Sequence, residues 1–549
     1  MKLAARFFTY NSRKCRNFPI PEALAAVVIG VVPVAAFSQI ASEISSSGVI
    51  TPGSIRIVPR ITVSETYTNN VLLSSTGRQA DLVSQVSPGI HISSRGGRIS
   101  GTLDYSLNEL MYARNSSGRR SDNSLNASGT VEAIDKWGYI DFSGFVGRQA
   151  ISAFGAPADN GISLNGNSTE TSTFKLSPHV RGRFGDVADY EARYSLTSSR
   201  SKSVLASAVD SQDLSLRLSG VGGRLGWTLA SEQHVSDFGA GRSTQNRRLD
   251  GQLQYSLNTQ FGMYAKGSHE SNNYASVADA QGNSAALGVT WTPNTETRVS
   301  VDRDSRGSYG LVADWAPSRR TNISVTRERR LFGDTHSIAL AYRTSNTAWA
   351  FRDSRTVVAN QGQSPVAGTG SLYDLMYSQF AARESDPAKR EQYDAYLQAS
   401  GIKPGATAVG GFLTSAASLQ RQQQLSFSLT GQRSTLTVIG TRSQNTRLDT
   451  VSAAVDDLSG SQEVRQTGLT VNFSHRLASR STLGFSVGRQ NSSGSAGQAG
   501  SSSRTVNANL STQLTKDTSA SVSARHVVFD NRTAPYTETA VIGNLSVQF

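Results

Sequence analysis

Apolar and polar residues alternate with a period of two along most of this chain. In LDGQLQYSL (249–257), leucine, glycine and tyrosine alternate with aspartate, glutamine and serine. The same alternation returns in ISGTLDYSL (99–107), in VNANLSTQL (506–514) and in AVIGNLSVQF (540–549). Successive side chains of a β-strand point to opposite faces, so this pattern predicts strands with one apolar face and one polar face.

The length of these runs and the kind of apolar residue in them favour a membrane setting. Each run is about ten residues long, the length of a tilted strand that crosses a bilayer. The apolar faces use small and medium side chains, which suits a lipid-facing band around a watery interior. The alternative is a secreted soluble β protein whose apolar faces pack against a second sheet.

The connections between the predicted strands alternate between short and long. Short ones include DKWG (135–138) and TKDTS (515–519), and long ones include GAPADNGISLNGNSTE (155–170). Outer-membrane barrels have tight periplasmic turns and larger outside loops. Counting back from the last residue therefore predicts an all-β fold, a transmembrane antiparallel β-barrel of about 24 strands (about 22 to 26), over residues 55–549.

The tryptophans give an independent indication of which end is which. All five lie within a few residues of the predicted periplasmic turns: Trp137, Trp227, Trp291, Trp315 and Trp349. Aromatic residues form girdles where a barrel meets the membrane interface. The clustering therefore predicts a periplasmic aromatic girdle.

The start of the chain reads as a targeting segment. A basic stretch precedes the apolar run ALAAVVIGVVPVAAF (23–37), which is about the length of a signal-peptide core and short for a spanning helix. We expect a signal peptide over residues 1–38 and a short periplasmic segment over 39–54; an uncleaved anchor is the alternative. The single cysteine, Cys15, falls within the expected signal peptide.

One region departs from the strand pattern. Residues 361–411 carry two apolar stripes at helical spacing, which predict a helical hairpin inserted between two strands at the outer end. A barrel of about 24 strands encloses more space than wall side chains fill, so the hairpin is a candidate plug or gate. An outside cap is the alternative. The stripe residues are Leu372, Leu375, Met376, Phe380, Tyr393, Tyr396 and Leu397.

The chain has a formal net charge of +13, and arginine supplies most of its cations. Arg193 and Arg217 lie between apolar neighbours, so alternation turns them towards the lumen. Arginine binds carboxylate and phosphate in a bidentate way, which would suit an acidic polymer. Ion pairing within the wall, or the codon usage of a GC-rich genome, explains the arginines equally well. No basic patch accompanies a recognition motif, so nucleic acid is not an expected partner.

The chain has short motifs that resemble catalytic or metal-binding sites, but the surrounding sequence lacks the structure that such sites need. GFSVG (484–488) matches the nucleophile pattern around Ser486, but that chemistry needs a strand–turn–helix elbow and no helix follows. The seven histidines lack metal-ligand spacing. We therefore expect no enzyme activity, no cofactor and no metal site. A histidine–aspartate site assembled from separate segments stays open, because such sites are recognised by geometry.

Several segments together resemble a known family. ITVSETYTNNVLLSS (61–75) is followed by VSPGI (86–90), and later by LYDLM (372–376) and DPAKR (386–390). These are similar to motifs of the outer-membrane proteins associated with the PEP-CTERM/exosortase system, which is linked to exopolysaccharide production. Asn69 stands where that family usually has aspartate. The resemblance implies a role in moving or anchoring extracellular polymer.

These observations predict an outer-membrane channel, porin-like, of a Gram-negative bacterium that serves exopolysaccharide export. The alternative is a non-conducting surface-structural or matrix-binding barrel. Expected partners are the outer membrane with its lipopolysaccharide, an acidic exopolysaccharide and periplasmic export proteins. The final strand, which ends on an outward Phe549, resembles the signal that the barrel-assembly machinery recognises.

Overall fold

A computed structural model describes residues 55–114, 119–156, 161–203, 208–238, 242–274, 281–358, 412–414, 417–448, 457–495 and 500–549. The predicted signal peptide, the periplasmic segment and the helical insertion with all of its stripe residues lie outside these ranges. Within the described ranges, no helix is long and apolar enough to cross a membrane.

The described residues form strands and one short helix, α1 (Asp457–Gly460). The strands are β1 (Ile55–Thr68), β2 (Asp81–Gly96), β3 (Ile99–Tyr112), β4 (Arg120–Ile134), β5 (Gly138–Ala150), β6 (Ser168–Phe184), β7 (Ala188–Ser201), β8 (Val209–Gly222), β9 (Leu225–Asp237), β10 (Ser243–Ser256), β11 (Phe261–Asn272), β12 (Gln281–Asn294), β13 (Thr297–Asp304), β14 (Tyr309–Ser318), β15 (Thr321–Arg330), β16 (Gly333–Arg343), β17 (Thr347–Val358), β18 (Ser418–Thr430), β19 (Ser434–Arg447), β20 (Glu463–Ala478), β21 (Ser481–Gly494), β22 (Ser501–Gln513), β23 (Thr518–Asn531) and β24 (Tyr536–Gln548).

The strands close into one antiparallel barrel. Each pairs with its neighbours in sequence, and β1 pairs with β24 from Arg60 opposite Gln548 to Thr68 opposite Ala540. The predicted barrel is confirmed, with 24 strands. Closure leaves no unpaired strand edge, which is a requirement for a β structure in lipid.

The two ends of the barrel differ in their connections. At the end where β1 begins and β24 finishes, the turns are short, as between Gly96 and Ile99 or between Gly222 and Leu225. At the opposite end the connections include residues 69–80 and 151–167. Short periplasmic turns and longer outside loops are the arrangement of outer-membrane barrels, so the short-turn end is periplasmic.

The outer face carries an exposed apolar band. In β22, Val506 and Leu510 are exposed, while Asn507 and Asn509 between them face the lumen. In β24, Val541 and Leu545 are exposed in the same way. A soluble barrel would present this band to water, whereas a bilayer provides its apolar partner. The chain is therefore an outer-membrane barrel of a Gram-negative bacterium, and the soluble alternative is rejected.

The tryptophans lie at the periplasmic end. Trp137, Trp291, Trp315 and Trp349 are exposed there, as expected for an interfacial girdle. Trp227 instead lies over Gly220, where a Cβ atom would come within 2.7 Å of the indole Nε1 and 2.3 Å of a backbone carbonyl oxygen. Glycine at this position thus makes room for the ring on the outer wall.

The height of the wall is uneven. Strands β13 to β16 have 8 to 11 residues, whereas β6 has 17 and β20 has 16. Since the periplasmic turns lie at one end throughout, the shorter strands lower the wall on the outside. This low sector lies next to the connection that carries residues 359–411.

Candidate functional site: the lumen and its outer mouth

The lumen is lined with hydroxyl and amide groups that bond to one another across strands. Ser177 donates to Ser195 at 2.8 Å, and the hydroxyls of Thr290 and Ser300 are 2.9 Å apart. These residues occupy the inward positions that the sequence alternation assigned to the polar face. The inner side of these strands therefore carries polar side chains that water can hydrate.

Charged groups in the lumen are joined across an intervening strand. Arg60 of β1 donates to both carboxylate oxygens of Asp104 of β3, at 2.6 and 3.1 Å, and His91 of β2 lies 3.3 Å from the same carboxylate. Bidentate arginine–carboxylate pairs are strong and directional. This cluster ties three strands together next to the β1–β24 seam.

The two predicted lumen arginines have different surroundings. Arg193 lies 2.5 Å from Asp141 of β5, which also accepts a hydrogen bond from Thr130 at 2.7 Å, and 3.6 Å from Glu191. Arg193 is thus engaged in the wall. Arg217 is exposed at an inward position of β8, and no described residue forms an ion pair or hydrogen bond with its guanidinium. Arg217 is the one of the two that could meet a lumen anion.

A second group of charges connects strands that are far apart in the barrel order. Glu328 of β15 lies 2.5 Å from both Arg248 of β10 and Lys266 of β11, and Arg330 pairs with Glu270 at 3.0 Å. Neighbouring strands are about 4.8 Å apart, so five strand spacings follow about 24 Å of wall. Contacts this short require the wall to curve sharply between β10 and β15, which narrows the lumen there.

Apolar residues gather at the outer end, above the membrane band. One cluster combines the ends of strands on both sides of the low sector, including Phe238 after β9, Tyr274 after β11 and Leu448 after β19. Phe332, at the tip between β15 and β16, packs against it and meets Tyr274 edge-on, with ring centroids 6.5 Å apart. The long neighbouring strands therefore meet over the low sector.

The described parts of the connection between β5 and β6, residues 151–156 and 161–167, extend over the mouth, and we call them the mouth strap. Its Ala153 N–H donates to the Asp457 carboxylate at 2.6 Å, and Asn531 donates to the Phe154 carbonyl at 3.3 Å. On its return, Leu164 N–H donates to the Val71 carbonyl at 3.1 Å. The strap is thus held by connections from three other parts of the barrel.

Buried apolar contacts accompany these hydrogen bonds. Phe154 packs with Phe412, Leu458 and Val464, and Ile162 and Leu164 pack against a cluster at the outer ends of β1 to β3. Ala156 packs against a third cluster beside β23 and β24. The mouth strap therefore covers the outer end over the sector that runs from β20 through β24 and β1 to β6.

One lumen arrangement has the order of a catalytic triad. Asp213 lies 2.5 Å from His234 Nδ1, and His234 Nε2 lies 2.9 Å from the Ser236 hydroxyl. Ser236, however, is completely buried, and β9 is paired at this position with both Ser211 of β8 and Thr244 of β10. Acyl transfer needs an accessible hydroxyl and free donors for an oxyanion. The three side chains therefore form a structural hydrogen-bond chain between β8 and β9. Spacing along the sequence does not reveal this arrangement, because Asp213 lies on another strand.

The other candidate residues have the following positions. Ser486 lies inside the unbroken strand β21, without an elbow. Phe549 continues the outward parity of β24, is exposed, and its N–H donates to the Pro59 carbonyl at 2.9 Å; its role in assembly stays a prediction. In the described part of the chain, no group of three or more histidine, cysteine, aspartate or glutamate side chains could hold a metal ion.

Comparisons with known proteins find likeness in architecture. No family model matches the sequence, and no curated protein matches it. The FrpB iron transporter from Neisseria meningitidis (F5-1 variant) is similar with a TM-score of 0.43 and 11% identity, covering 90% of this chain and 83% of that one. The siderophore receptor PirA from Pseudomonas aeruginosa is similar with a TM-score of 0.39 and 10% identity, covering 91% and 81%. Likeness at this level does not extend to function.

Proposed function

We propose that this barrel is a gated conduit for an extracellular polysaccharide across the outer membrane. The proposal is supported by the combination of a polar lumen with an outer mouth that the mouth strap covers over the sector from β20 through β24 and β1 to β6. A permanently open barrel of this size would leak periplasmic solutes, so a conduit needs a closure that can move. Hydrogen bonds to other loops hold the mouth strap in place. These hydrogen bonds can break and be replaced by bonds to water without breaking any strand pairing.

The lumen chemistry supports a hydroxylated cargo. The serine, threonine and asparagine side chains that line the wall donate and accept hydrogen bonds, as sugar hydroxyls do. Arg217 adds an exposed cation that would favour an acidic polymer. The similarity of residues 61–75 and 86–90 to the PEP-CTERM/exosortase-associated family points to the same class of cargo. We propose transport without catalysis, because Ser236 is inaccessible and Ser486 lacks an elbow.

Planar-bilayer recording tests the conduit. Purified barrel is compared with a variant whose residues 152–166 are replaced by a short Gly/Ser turn, and with a control in which only the periplasmic turn 515–517 is replaced by Gly/Ser. The strap variant should show a several-fold higher single-channel conductance, since the covering segment is gone. The control should match the unmodified protein. Equal conductance in all three would reject gating by the strap.

A polymer arm of the same experiment tests the cargo. An acidic polysaccharide added to the strap variant should block current more strongly than a neutral polysaccharide of the same length. Arg217→Gln should weaken the block by the acidic polymer and leave the block by the neutral polymer unchanged. Equal block by both polymers would remove the charge preference and leave a conduit for neutral chains.

A second function, a non-conducting surface-structural barrel that binds matrix, is favoured by one observation. The mouth is covered by several buried apolar clusters, which cost free energy to expose. Such a barrel would bind matrix polymer on its outer surface and would stay closed to ions. In that case the strap variant would conduct while the unmodified barrel would not conduct under any polymer gradient or applied voltage that the membrane tolerates.

A further inference from the structure

The outer wall carries arginines where the apolar band ends. In β21, Arg489 is the next outward residue after Val487, and in β22, Arg504 is the next after Val506; all four are exposed. Arg442 of β19 lies one outward position closer to the outer end of the barrel than Arg489 does. These side chains project from the lipid-facing side of the barrel. We call Arg442, Arg489 and Arg504 the arginine face.

Two of these arginines are direct neighbours. Arg489 pairs in register with Arg504, and Val487 pairs with Val506 immediately below. Like charges directly opposite each other on an antiparallel pair are destabilising. In the described part of the chain, none of the three guanidiniums of the arginine face forms an ion pair or a hydrogen bond. Val528 of β23 pairs in register with Arg504, and Asp530 lies one outward position beyond Val528. Asp530 forms no ion pair with Arg504.

The height of the arginine face matches the outer headgroup region. From Leu514, at the periplasmic turn, to Arg504 there are about ten residue steps, which cover about 25 Å of membrane normal at about 3.3 Å per residue and a tilt of about 40°. That distance is the height of the apolar band of an outer-membrane barrel. Arg489 and Arg504 therefore lie at the level of the polar headgroups of the outer leaflet.

Neighbouring outward positions add neutral polar groups. Thr467, Asn491 and Ser502 share the row above the arginine pair, and the Ser502 hydroxyl donates to the Asn491 side-chain oxygen at 2.8 Å. The Asn491 side-chain oxygen accepts this bond, so its amide group keeps its N–H donors for a ligand. Two guanidiniums with adjacent amide donors provide the chemistry that binds phosphate, since arginine pairs with phosphate oxygens in a bidentate way.

We propose that the arginine face binds the phosphate groups of a phosphorylated glycolipid of the outer leaflet. A phosphate between Arg489 and Arg504 would relieve their repulsion, and the acyl chains would lie on Val487, Val506 and the band below. Charge complementarity and continuity with the lipid-facing surface favour a lipid over a soluble anion. This site is on the outside of the barrel and is independent of conduction through the lumen.

The other half of the barrel provides a matched comparison. Arg200 of β7 is also exposed on the outer face, but it pairs with both carboxylate oxygens of Asp210 at 2.9 Å. Arg247 of β10 is outward and exposed without a second arginine opposite it, since it faces Gln233 and Ser271. A double variant at these two positions removes the same charge from the outer face and leaves the arginine face intact.

The test uses full-length barrel in neutral detergent and native mass spectrometry. The probes are bisphosphorylated lipid A, the same lipid without its phosphates, and inorganic phosphate. Bisphosphorylated lipid A should remain bound to the unmodified barrel and to Arg200→Gln/Arg247→Gln. With Arg489→Gln/Arg504→Gln, binding should weaken about tenfold, as expected for the loss of charged hydrogen-bond donors. Arg489→Lys/Arg504→Lys should be intermediate, because charge is kept while bidentate geometry is lost.

The remaining outcomes each decide the proposal. Equal binding of the dephosphorylated lipid would overturn phosphate recognition. Displacement of lipid A by millimolar inorganic phosphate would assign the face to a free anion in place of a lipid. Equal weakening by both double glutamine variants would reduce the effect to net charge. Heat-modifiable gel migration verifies that each variant is a folded barrel, and the single variants Arg489→Gln and Arg504→Gln replace a double variant that fails this test.

Discussion

Arginine has different surroundings on the two faces of this barrel. In the lumen, Arg60, Arg193 and Arg525 are all ion-paired with carboxylates of nearby strands. On the outer face, Arg489 and Arg504 face each other without a carboxylate partner. These paired lumen arginines act within the wall and hold strands together. Arg217 in the lumen and the arginine face outside have no such partner in the described part of the chain, so they are directed at something other than the wall.

The largest effect is expected where a buried lumen pair is broken. Glu538 is almost completely buried, accepts from Arg525 at 3.1 and 3.2 Å, and accepts from the Thr68 hydroxyl at 2.9 Å across the β1–β24 seam. Glu538→Ala leaves Arg525 without its counter-charge and should lower the free energy of unfolding by about 3 kcal/mol. Urea titration in detergent, followed by tryptophan fluorescence, measures this loss.

Asp530→Asn is the matched control for that change. Asp530 is an exposed outward carboxylate on the neighbouring strand β23, and its substitution should change the free energy of unfolding by less than about 0.5 kcal/mol. Equal losses for Glu538→Ala and Asp530→Asn would contradict the distinction between wall charges and outer charges.

A charge placed in the apolar band tests the assignment of the faces. Leu510 is an exposed outward residue of β22, midway between Arg504 and Leu514. Leu510→Arg should cost about 2 kcal/mol in lipid, because arginine is expensive near the bilayer centre of a barrel. Ser511→Arg, one residue away on the lumen side, should cost clearly less. Folding into vesicles at increasing urea compares the two, and a reversed order would mean that the faces are assigned wrongly.

A smaller effect is expected at a single lumen hydrogen bond. Tyr264 of β11 donates to Asp302 of β13 at 2.8 Å, and its ring occupies the space beside Gly288, where a Cβ atom would lie 2.4 Å away. Tyr264→Phe keeps the ring and removes the bond, so it should lower the free energy of unfolding by about 1 kcal/mol. The same urea titration measures it, and an unchanged midpoint would show that water replaces the phenol.

The smallest effect on stability is expected at the arginine face. In detergent without anionic lipid, Arg489→Gln should change the free energy of unfolding by less than about 0.5 kcal/mol relative to the unmodified barrel. The substitution removes an exposed charge and relieves repulsion from Arg504. A slight stabilisation is the expected direction. A loss comparable to that of Glu538→Ala would show that Arg489 has a partner within the protein, and would refute its assignment to a lipid.

The architecture could be predicted from the sequence because alternation is local. Each strand shows its two faces through its own residues, and the short turns separate one strand from the next, so β1 to β24 could be counted without knowing the register. The ion pairs could not be predicted in the same way. Arg193 meets Asp141 two strands away, and Glu328 meets Arg248 five strands away, so these contacts depend on register and curvature that no local pattern contains.

The mouth strap illustrates a different limit. Its sequence is polar and rich in glycine and asparagine, which predicts a loop and does not indicate contact with the mouth. Residues 361–411, the predicted plug or gate, lie outside the described residues, and their role stays a prediction. The available signal was the isolated apolar residues within it, Phe154, Ile162 and Leu164, which need burial partners. Those partners come from β1 to β3 and from residues 412–464, so sequence proximity does not reveal them.

Cysteine labelling at Arg217 tests the central claim, a hydrated lumen under a closed mouth, most directly. In a Cys15→Ser background, which has no other cysteine, Arg217→Cys and the lipid-facing Leu216→Cys are treated on intact cells with a bulky polyethylene-glycol maleimide. We predict that Arg217→Cys reacts only when residues 152–166 are replaced by a Gly/Ser turn, and that Leu216→Cys stays unreactive. Equal labelling of Arg217→Cys with the mouth strap intact would contradict the account.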